Sequence, residues 1–360
     1  MIRIIVVGIV LFVTILIGWT WLLGSKAKAR LAAKYPAPGK LVDVGGYRLH
    51  INCQGQGNPT VVMESGNGNF SLNWGHVPQE VAKFTRVCTY DRAGLGWSDR
   101  NSQPRTAHNI VEGLHTLLER SGVEPPYALV GHSLGGMLVR LYAHEHPDQV
   151  VGMVLVDSSH EEQLMRNPEA LVRLQRRADR LMGGILRLMQ MIVATGLLAL
   201  APKLSPRQML SMVAEEDREA FQGVVSANTK CLAAMREEIA VAADHFAAVR
   251  AAQITTLGDI PLIVLSHGKE QQMPGLPAEA IREFEQTFQQ MHIELTAQSS
   301  NGKRIVAEKS GHYIQLDQPE LVIDAIREVV EAARQRSSSQ SDARLAGVGG
   351  THPAQFLKDK

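Results

Sequence analysis

The hydrophobic positions of this chain form three kinds of run, and each predicts a different element. The first is continuous. Ile4 to Leu23 reads IIVVGIVLFVTILIGWTWLL and carries no charge. About 20 apolar residues suffice to cross a bilayer as a helix, and Trp19 and Trp21 stand where an interfacial aromatic belt would fall. The run predicts an uncleaved, single-pass transmembrane anchor, with its linker filling residues 1–38. A cleaved secretory signal is the second reading. Such signals have a shorter apolar core, about 7–15 residues, but Ala27-Lys28-Ala29 has the small-residue spacing of a cleavage site. Lys26, Lys28, Arg30 and Lys34 follow the run and Arg3 precedes it, so the positive-inside rule leans toward a cytoplasmic catalytic domain.

The second kind of run is short and bounded by turn signals. Leu41 to Cys53 (LVDVGGYRLHINC) has two alternating stretches around Gly45-Gly46, a hairpin signal. TVVME (60–64), RVCTY (86–90), YALV (127–130), VVGMVLVD (150–157), IPLIVLS (260–266) and KRIVAE (303–308) read as short buried strands. Between them, Thr106 to Ser121, Ala278 to Met291 and LVIDAIREVVEAARQR repeat at helical spacing. Strands alternating with helices imply an α/β fold with a mostly parallel sheet covered on both faces.

The third kind fills residues 158–256. It shows no strand pattern and is rich in Leu, Met, Ala and Arg at helical period. It reads as a helical cap inserted into an α/β core formed by residues 39–157 and 257–336. Leu181 to Ala201 is strongly apolar and is a candidate to touch a bilayer surface, but Arg187 and Gln190 interrupt it, so it is not read as a second span; the cap as a whole reads as a core-packed helical subdomain. A cap inserted there would lie over the carboxyl ends of the strands, where open α/β sheets bind ligands. Residues 337–360, SSSQSDARLAGVGGTHPAQFLKDK, read as a disordered tail.

Composition narrows the picture. With 360 residues and 45% hydrophobic content, the chain can bury a sizeable core. Its 37 basic and 36 acidic residues leave a net charge of +1, so no basic excess points to a nucleic-acid partner. The three cysteines, Cys53, Cys88 and Cys231, are odd in number and lack CxxC spacing. They are read as neither a disulfide framework nor a zinc site, and Cys88 as a small core residue.

The candidate chemistry lies where the strand YALV runs into Gly131-His132-Ser133-Leu134-Gly135. A G-x-S-x-G sequence between a strand and a helix forces a sharp turn at the serine. Glycine on either side removes side chains that would collide, and the hydroxyl is left exposed at the sheet edge. The following helix start directs N–H groups at the same place, which suits a developing oxyanion. Ser133 is therefore the candidate nucleophile, and such a serine needs a base. His312, in SGHYIQLD between the last strand and the last helix, is the candidate. His132 reads as packing beneath the turn, while His76, His160 and His267 follow strands and are weaker candidates for lining a pocket.

The acid should lie between Ser133 and His312 in the chain and reach the imidazole. Asp157, at the carboxyl end of VVGMVLVD, is the first choice. Glu270, in SHGKEQQ, is the alternative, and Asp259 is a distant third. The oxyanion hole would use the N–H of Leu134 and a second N–H from SGNGN after TVVME, for which Asn67 is chosen beside Gly66. The loop DRAGLGWSD (91–99) reads as a structural crossover, with Arg92 or Trp97 touching substrate as the lesser reading.

From about Gly39 to Arg336 the chain resembles the α/β-hydrolase fold superfamily, in its branch with a helical cap. VVMESGNGN, VCTYDRAGLGWSD, YALVGHSLGG, VGMVLVDSSHEEQ and SGHYIQLDQPELVIDAI carry the resemblance, in the family's order. It implies Ser133 as nucleophile, His312 as base and an acid after a late strand. The chain departs from the family twice: the oxyanion loop reads SG where HG is frequent, and the loop after the penultimate strand holds no Asp. The expectation is a membrane-anchored serine hydrolase that cleaves a hydrophobic carboxylic ester through an acyl-enzyme, with no metal or organic cofactor. An amidase or aminopeptidase of the same fold, or a non-catalytic binding protein, is the alternative, because a fold does not fix its reaction.

Overall fold

The computed structural model describes residues 2–201 and 207–348. In chain order, its strands are β1 (Lys40–Asp43), β2 (Arg48–Gln54), β3 (Thr60–Glu64), β4 (Val87–Asp91), β5 (Tyr127–His132), β6 (Val150–Val156), β7 (Leu262–His267) and β8 (Gly302–Ala307). The helices are α1 (Ile2–Lys34), α2 (Val77–Val81), α3 (Ala107–Arg120), α4 (Leu134–Glu145), α5 (Gln163–Arg166), α6 (Glu169–Thr195), α7 (Leu197–Leu200), α8 (Arg207–Leu210), α9 (Arg218–Ala227), α10 (Thr229–Ala251), α11 (Ala278–Ala297), α12 (Ile314–Asp317) and α13 (Pro319–Val348).

The strands form one sheet in the order β1-β2-β4-β3-β5-β6-β7-β8. The β1–β2 and β2–β4 pairs are antiparallel, and β4 through β8 run parallel. Side chains alternate across the sheet because successive Cβ atoms point to opposite faces. Val62, Leu129, Met153 and Leu155 join Leu114 and Leu117 of α3 and Met137 and Leu141 of α4 on one face. Val61, Met63, Val130, Val154 and Val156 join Val77 of α2 and Val322, Ile326 and Val329 of α13 on the other. Both faces are buried, which is why the central strands read as continuous apolar runs.

Between β6 and β7 the described residues form helices α5 to α10 and no strand. Phe221, Val225, Leu232 and Met235 of this insertion share a core with Phe70 and Leu95 of the loops that follow β3 and β4. The cap is thus packed onto the ends of the strands.

Three sequence expectations need correction. Among the described residues, no helix is long and apolar enough to cross a membrane, so the single-pass anchor and the localisation drawn from it are withdrawn. Residues 2–34 do form one helix, α1. Its carboxyl-terminal part lies on the cap: the Lys28 ammonium donates to the Ala194 carbonyl at 3.2 Å, and Lys34 pairs with Glu219 at 3.4 Å. Gly24 and Gly196 meet backbone to backbone, and a Cβ on Gly24 would stand 2.4 Å from the Thr195 oxygen. Two of the basic residues after the apolar run, Lys28 and Lys34, therefore meet a carbonyl and a carboxylate of the cap.

Cys53 and Cys88 form a disulfide. They are register partners on the antiparallel strands β2 and β4, a relation that 35 residues of separation hide in the sequence. Cys231 is a buried free thiol. The tail is also shorter than expected, since α13 runs to Val348. Ser337 Oγ donates to the Ala333 carbonyl, and Ser338 and Ser339 donate to that of Gln335. The serines read as disorder in composition, but their hydroxyls bond back to carbonyls of the preceding helical turn. Residues 349–360 lie outside the described residues.

Candidate active site

Ser133 sits between β5 and α4 with φ +54°. This is left-handed backbone, costly for a residue with a Cβ. The surroundings hold it there. Its N–H donates to the Val156 carbonyl at 3.1 Å, and its own carbonyl accepts from Gly136 at 3.0 Å and Ser159 at 3.0 Å. The glycines are obligatory: a Cβ on Gly135 would stand 2.3 Å from the Glu64 oxygen. Helix α4 is thereby drawn against the end of β3, and the backbone after Ser133 begins a helix with free N–H groups.

The loop after β3 lies against this turn. A Cβ on Gly66 would stand 3.3 Å from Ser133 Cβ. Asn67 is exposed and lines the same pocket as Ser133, Leu134 and His312. That pocket measures about 440 Å³, within the range of small-molecule sites. Its apolar wall comes from α6 (Leu171, Leu174), α10 (Phe246) and α11 (Phe284, Phe288).

His312 Nδ1 donates to Asp157 Oδ2 at 2.7 Å, which leaves its Nε2 as the ring nitrogen available to a substrate or hydroxyl. Asp157 follows β6 and is fully buried, with φ +44°. Glu270 is exposed on the loop after β7. Asp259 is at the opposite end of that strand, paired with Arg336 at 2.6 Å. Of the three carboxylates, Asp157 is the one that meets His312.

A second imidazole serves Asp157. His267, the last residue of β7, donates its backbone N–H to Oδ1 at 2.9 Å. Its Nδ1 lies 2.8 Å from Oδ1 and 3.0 Å from Oδ2. Its Nε2 donates to Glu285 Oε2 at 2.9 Å. Burial works against charging this ring, but the two carboxylates outweigh it and hold its pKa up at about 10. His267 is therefore an imidazolium between Asp157 and Glu285. Burial likewise disfavours the Asp157 anion, but the hydrogen bonds from His267 and His312 hold its carboxyl well below the usual range. His267 ends β7, just before the loop that holds no Asp. It supports the carboxylate that follows the neighbouring strand β6, a contact the sequence does not mark.

Two further histidines hold the chain around the site. His132 is buried, and burial drives its pKa down to about 3, so the ring is neutral. Its Nε2 donates to the His312 carbonyl at 2.9 Å, which ties the loop bearing His312 to the turn bearing Ser133. His292, also held neutral by burial with a pKa of about 4, donates from Nε2 to the Ser158 carbonyl at 2.9 Å and fixes the chain after Asp157. His76 lies near Glu216 on the surface and His160 is buried beside Glu161. Neither is among the residues lining the pocket.

In the sequence, Arg92 reads as part of a structural crossover and, in the lesser reading, as a substrate contact. All five of its N–H groups are used. Nε donates to Glu238 Oε1 of α10 and Nη2 to its Oε2, both at 2.8 Å; the others reach Glu64 and the carbonyls of Ser65 and Gly66. Glu238 returns to the same loop, accepting from the Gly68 N–H at 2.6 Å. Arg92 thus joins the loop after β3 to the cap. It does not line the 440 Å³ pocket.

Residues 59–190 match a family model described as the alpha/beta hydrolase fold. The chain is 25% identical to the uncharacterized protein YqjL of Bacillus subtilis (strain 168), over 83% of this chain and 94% of that protein. It is 37% identical to the probable transporter efuK of Hormonema carpetanum, but over 36% of this chain and only 20% of that much longer protein. Among solved structures, a thermophilic esterase from Thermogutta terrifontis superposes with a TM-score of 0.53 at 20% identity, covering 81% of this chain and 97% of that one. With the sheet order, the serine turn and the helical insertion, these likenesses show that the chain has the α/β-hydrolase fold.

Proposed function

We propose that this α/β-hydrolase cleaves a carboxylic ester through Ser133, His312 and Asp157. In this reading, His312 Nε2 takes the hydroxyl proton as Ser133 Oγ attacks the ester carbonyl. The tetrahedral oxyanion is held by the N–H groups of Leu134 and Asn67. Collapse of this intermediate expels the alcohol, which takes the proton from His312, and leaves an acyl-serine. Water, deprotonated by the same nitrogen, attacks the acyl-serine; the acid departs and Ser133 regains its proton. Asp157 fixes the ring with Nδ1–H toward itself and stabilises the transient imidazolium.

The observation that carries this reading is the 2.7 Å bond between His312 Nδ1 and Asp157 Oδ2, made beside a serine at φ +54° on the wall of one pocket. The largely apolar wall favours an ester with an apolar chain. A serine at the turn, rather than an aspartate, disfavours chemistry through an aspartyl ester. Likeness to an esterase is consistent with the reading but supports only the fold.

The test is kcat/KM on 4-nitrophenyl esters from acetate to dodecanoate, alongside matched anilides. The expected result is saturable hydrolysis that peaks at intermediate chain length and a kcat about 10⁶-fold lower in Ser133→Ala. Turnover that survives Ser133→Ala, or anilides preferred over esters, would reject the ester reading.

A further inference from the structure

The pocket beside Ser133 has a polar corner that no hydrogen bond within the protein explains. Asn167 is 7% exposed and lines the pocket, as does Gln163 one helical turn earlier. Neither Nδ2 nor Oδ1 of Asn167 has a hydrogen-bond partner among the described residues, and Gln163 Oε1 has none either. Buried side-chain amides are normally satisfied, and one left with both ends unpaired is costly. One donor group and two acceptors are therefore shielded from solvent and unpaired, on two residues that line a space otherwise walled by Leu171, Leu174, Phe246, Phe284 and Phe288.

The segment cannot turn these groups to water cheaply, because it is pinned at both ends. Before it, Glu161 takes a two-bond grip from the buried Arg140 at 2.6 and 3.0 Å. After it, Arg166 makes two bonds to Glu294 of α11 at 2.6 and 3.1 Å. The Asn167 N–H donates to the Gln163 carbonyl at 2.9 Å, closing α5 between the two anchors. Polar groups held rigid and unpaired in an apolar pocket are the arrangement that discriminates strongly in favour of a ligand that can pair with them.

We propose that Asn167 and Gln163 form a specificity subsite for an ester that carries, beside its apolar chain, a group able both to donate and to accept hydrogen bonds: a hydroxyl or an amide. The inference rests on the serine-hydrolase reading above and names its substrate class. A plain fatty ester fills the apolar wall but leaves the Asn167 amide unpaired. A hydroxylated or amide-bearing ester of the same length satisfies it.

The test compares kcat/KM for ethyl octanoate, ethyl 3-hydroxyoctanoate, ethyl N-hexanoylglycinate and 2-hydroxyethyl octanoate on the purified full chain and on Asn167→Leu, Asn167→Asp and Gln163→Met. A fluorophosphonate labelling control is run on every protein. The expected result is at least one polar ester favoured over ethyl octanoate by about tenfold or more. That ratio should fall toward one in Asn167→Leu and lie between the two in Asn167→Asp, which keeps acceptors but loses the donors. Which polar ester wins distinguishes hydroxyl from amide and acyl side from alcohol side. Full labelling with no preference, or variants that lower all four substrates equally, would overturn the subsite and leave the serine hydrolase standing. Absence of labelling in the unmodified protein would overturn both.

Discussion

Asp157 accepts hydrogen bonds from two imidazoles in different surroundings. His267 is held charged between Asp157 and Glu285, while His312 faces the pocket. If Asp157 is the acid, Asp157→Asn should reverse the preferred tautomer of His312 and lower kcat by about 10⁴-fold, while Glu270→Gln, on an exposed loop, should change it less than about threefold. Ester hydrolysis by the two variants checks this directly. His267 adds a pH signature to stability. Its folded pKa is raised to about 10, above its ordinary value of 6.5. Its contribution is thus fully present below 6.5 and is lost as pH rises through about 10. Denaturant midpoints taken from pH 6 to 11 should fall for the unmodified protein and fall less for His267→Gln. Equal slopes would mean that His267 is not charged. Ser133 and His312 stood out in the sequence because a motif and a chain order mark them. The choice among Asp157, Glu270 and Asp259 did not, because it depends on which strand end reaches the loop of His312. His267 was invisible as a partner, since nothing in SHGKEQQ encodes a contact with the neighbouring strand.

At the scale of elements, the strand-to-helix alternation was legible because both faces of the central strands are buried. The insertion was legible because its periodicity changes. The ties between elements were not. Arg92 lies in a glycine-rich loop that reads as a crossover, yet its guanidinium joins the loop after β3 to α10 through two buried carboxylates. Removing the cation would leave Glu64 and Glu238 buried without compensation. Arg92→Met should therefore lower the unfolding free energy by about 3–5 kcal/mol, measured by urea denaturation. Arg92→Lys should recover only part of the loss, since one ammonium cannot replace five fixed donors. A change under about 1 kcal/mol for Arg92→Met would contradict the coupling. Helices α1 and α13 show where composition misleads. The apolar run of α1 invited a bilayer, but its far end docks on the cap. The serines after Arg336 invited disorder, but their hydroxyls bond to carbonyls within the same helix.

At the scale of the whole molecule, one sheet with two buried faces carries the candidate site at the carboxyl ends of β5, β6 and β7, beneath a cap that shares a core with the loops below it. The Cys53–Cys88 bridge joins β2 to β4 outside that region. It closes a loop of 35 residues, so replacing both cysteines with alanine should cost about 3–4 kcal/mol through the unfolded chain. Denaturation of the double variant, and of the unmodified protein with and without reductant, checks this; ester hydrolysis under native conditions should persist. The measurement that bears most directly on the whole account is treatment of the purified protein with a fluorophosphonate, followed by peptide mass spectrometry. A single covalent adduct on the peptide containing Ser133, absent in Ser133→Ala and strongly slowed in Asp157→Asn, is the expected result. No adduct, or an adduct on another serine, would mean that the turn between β5 and α4 does not hold an activated nucleophile.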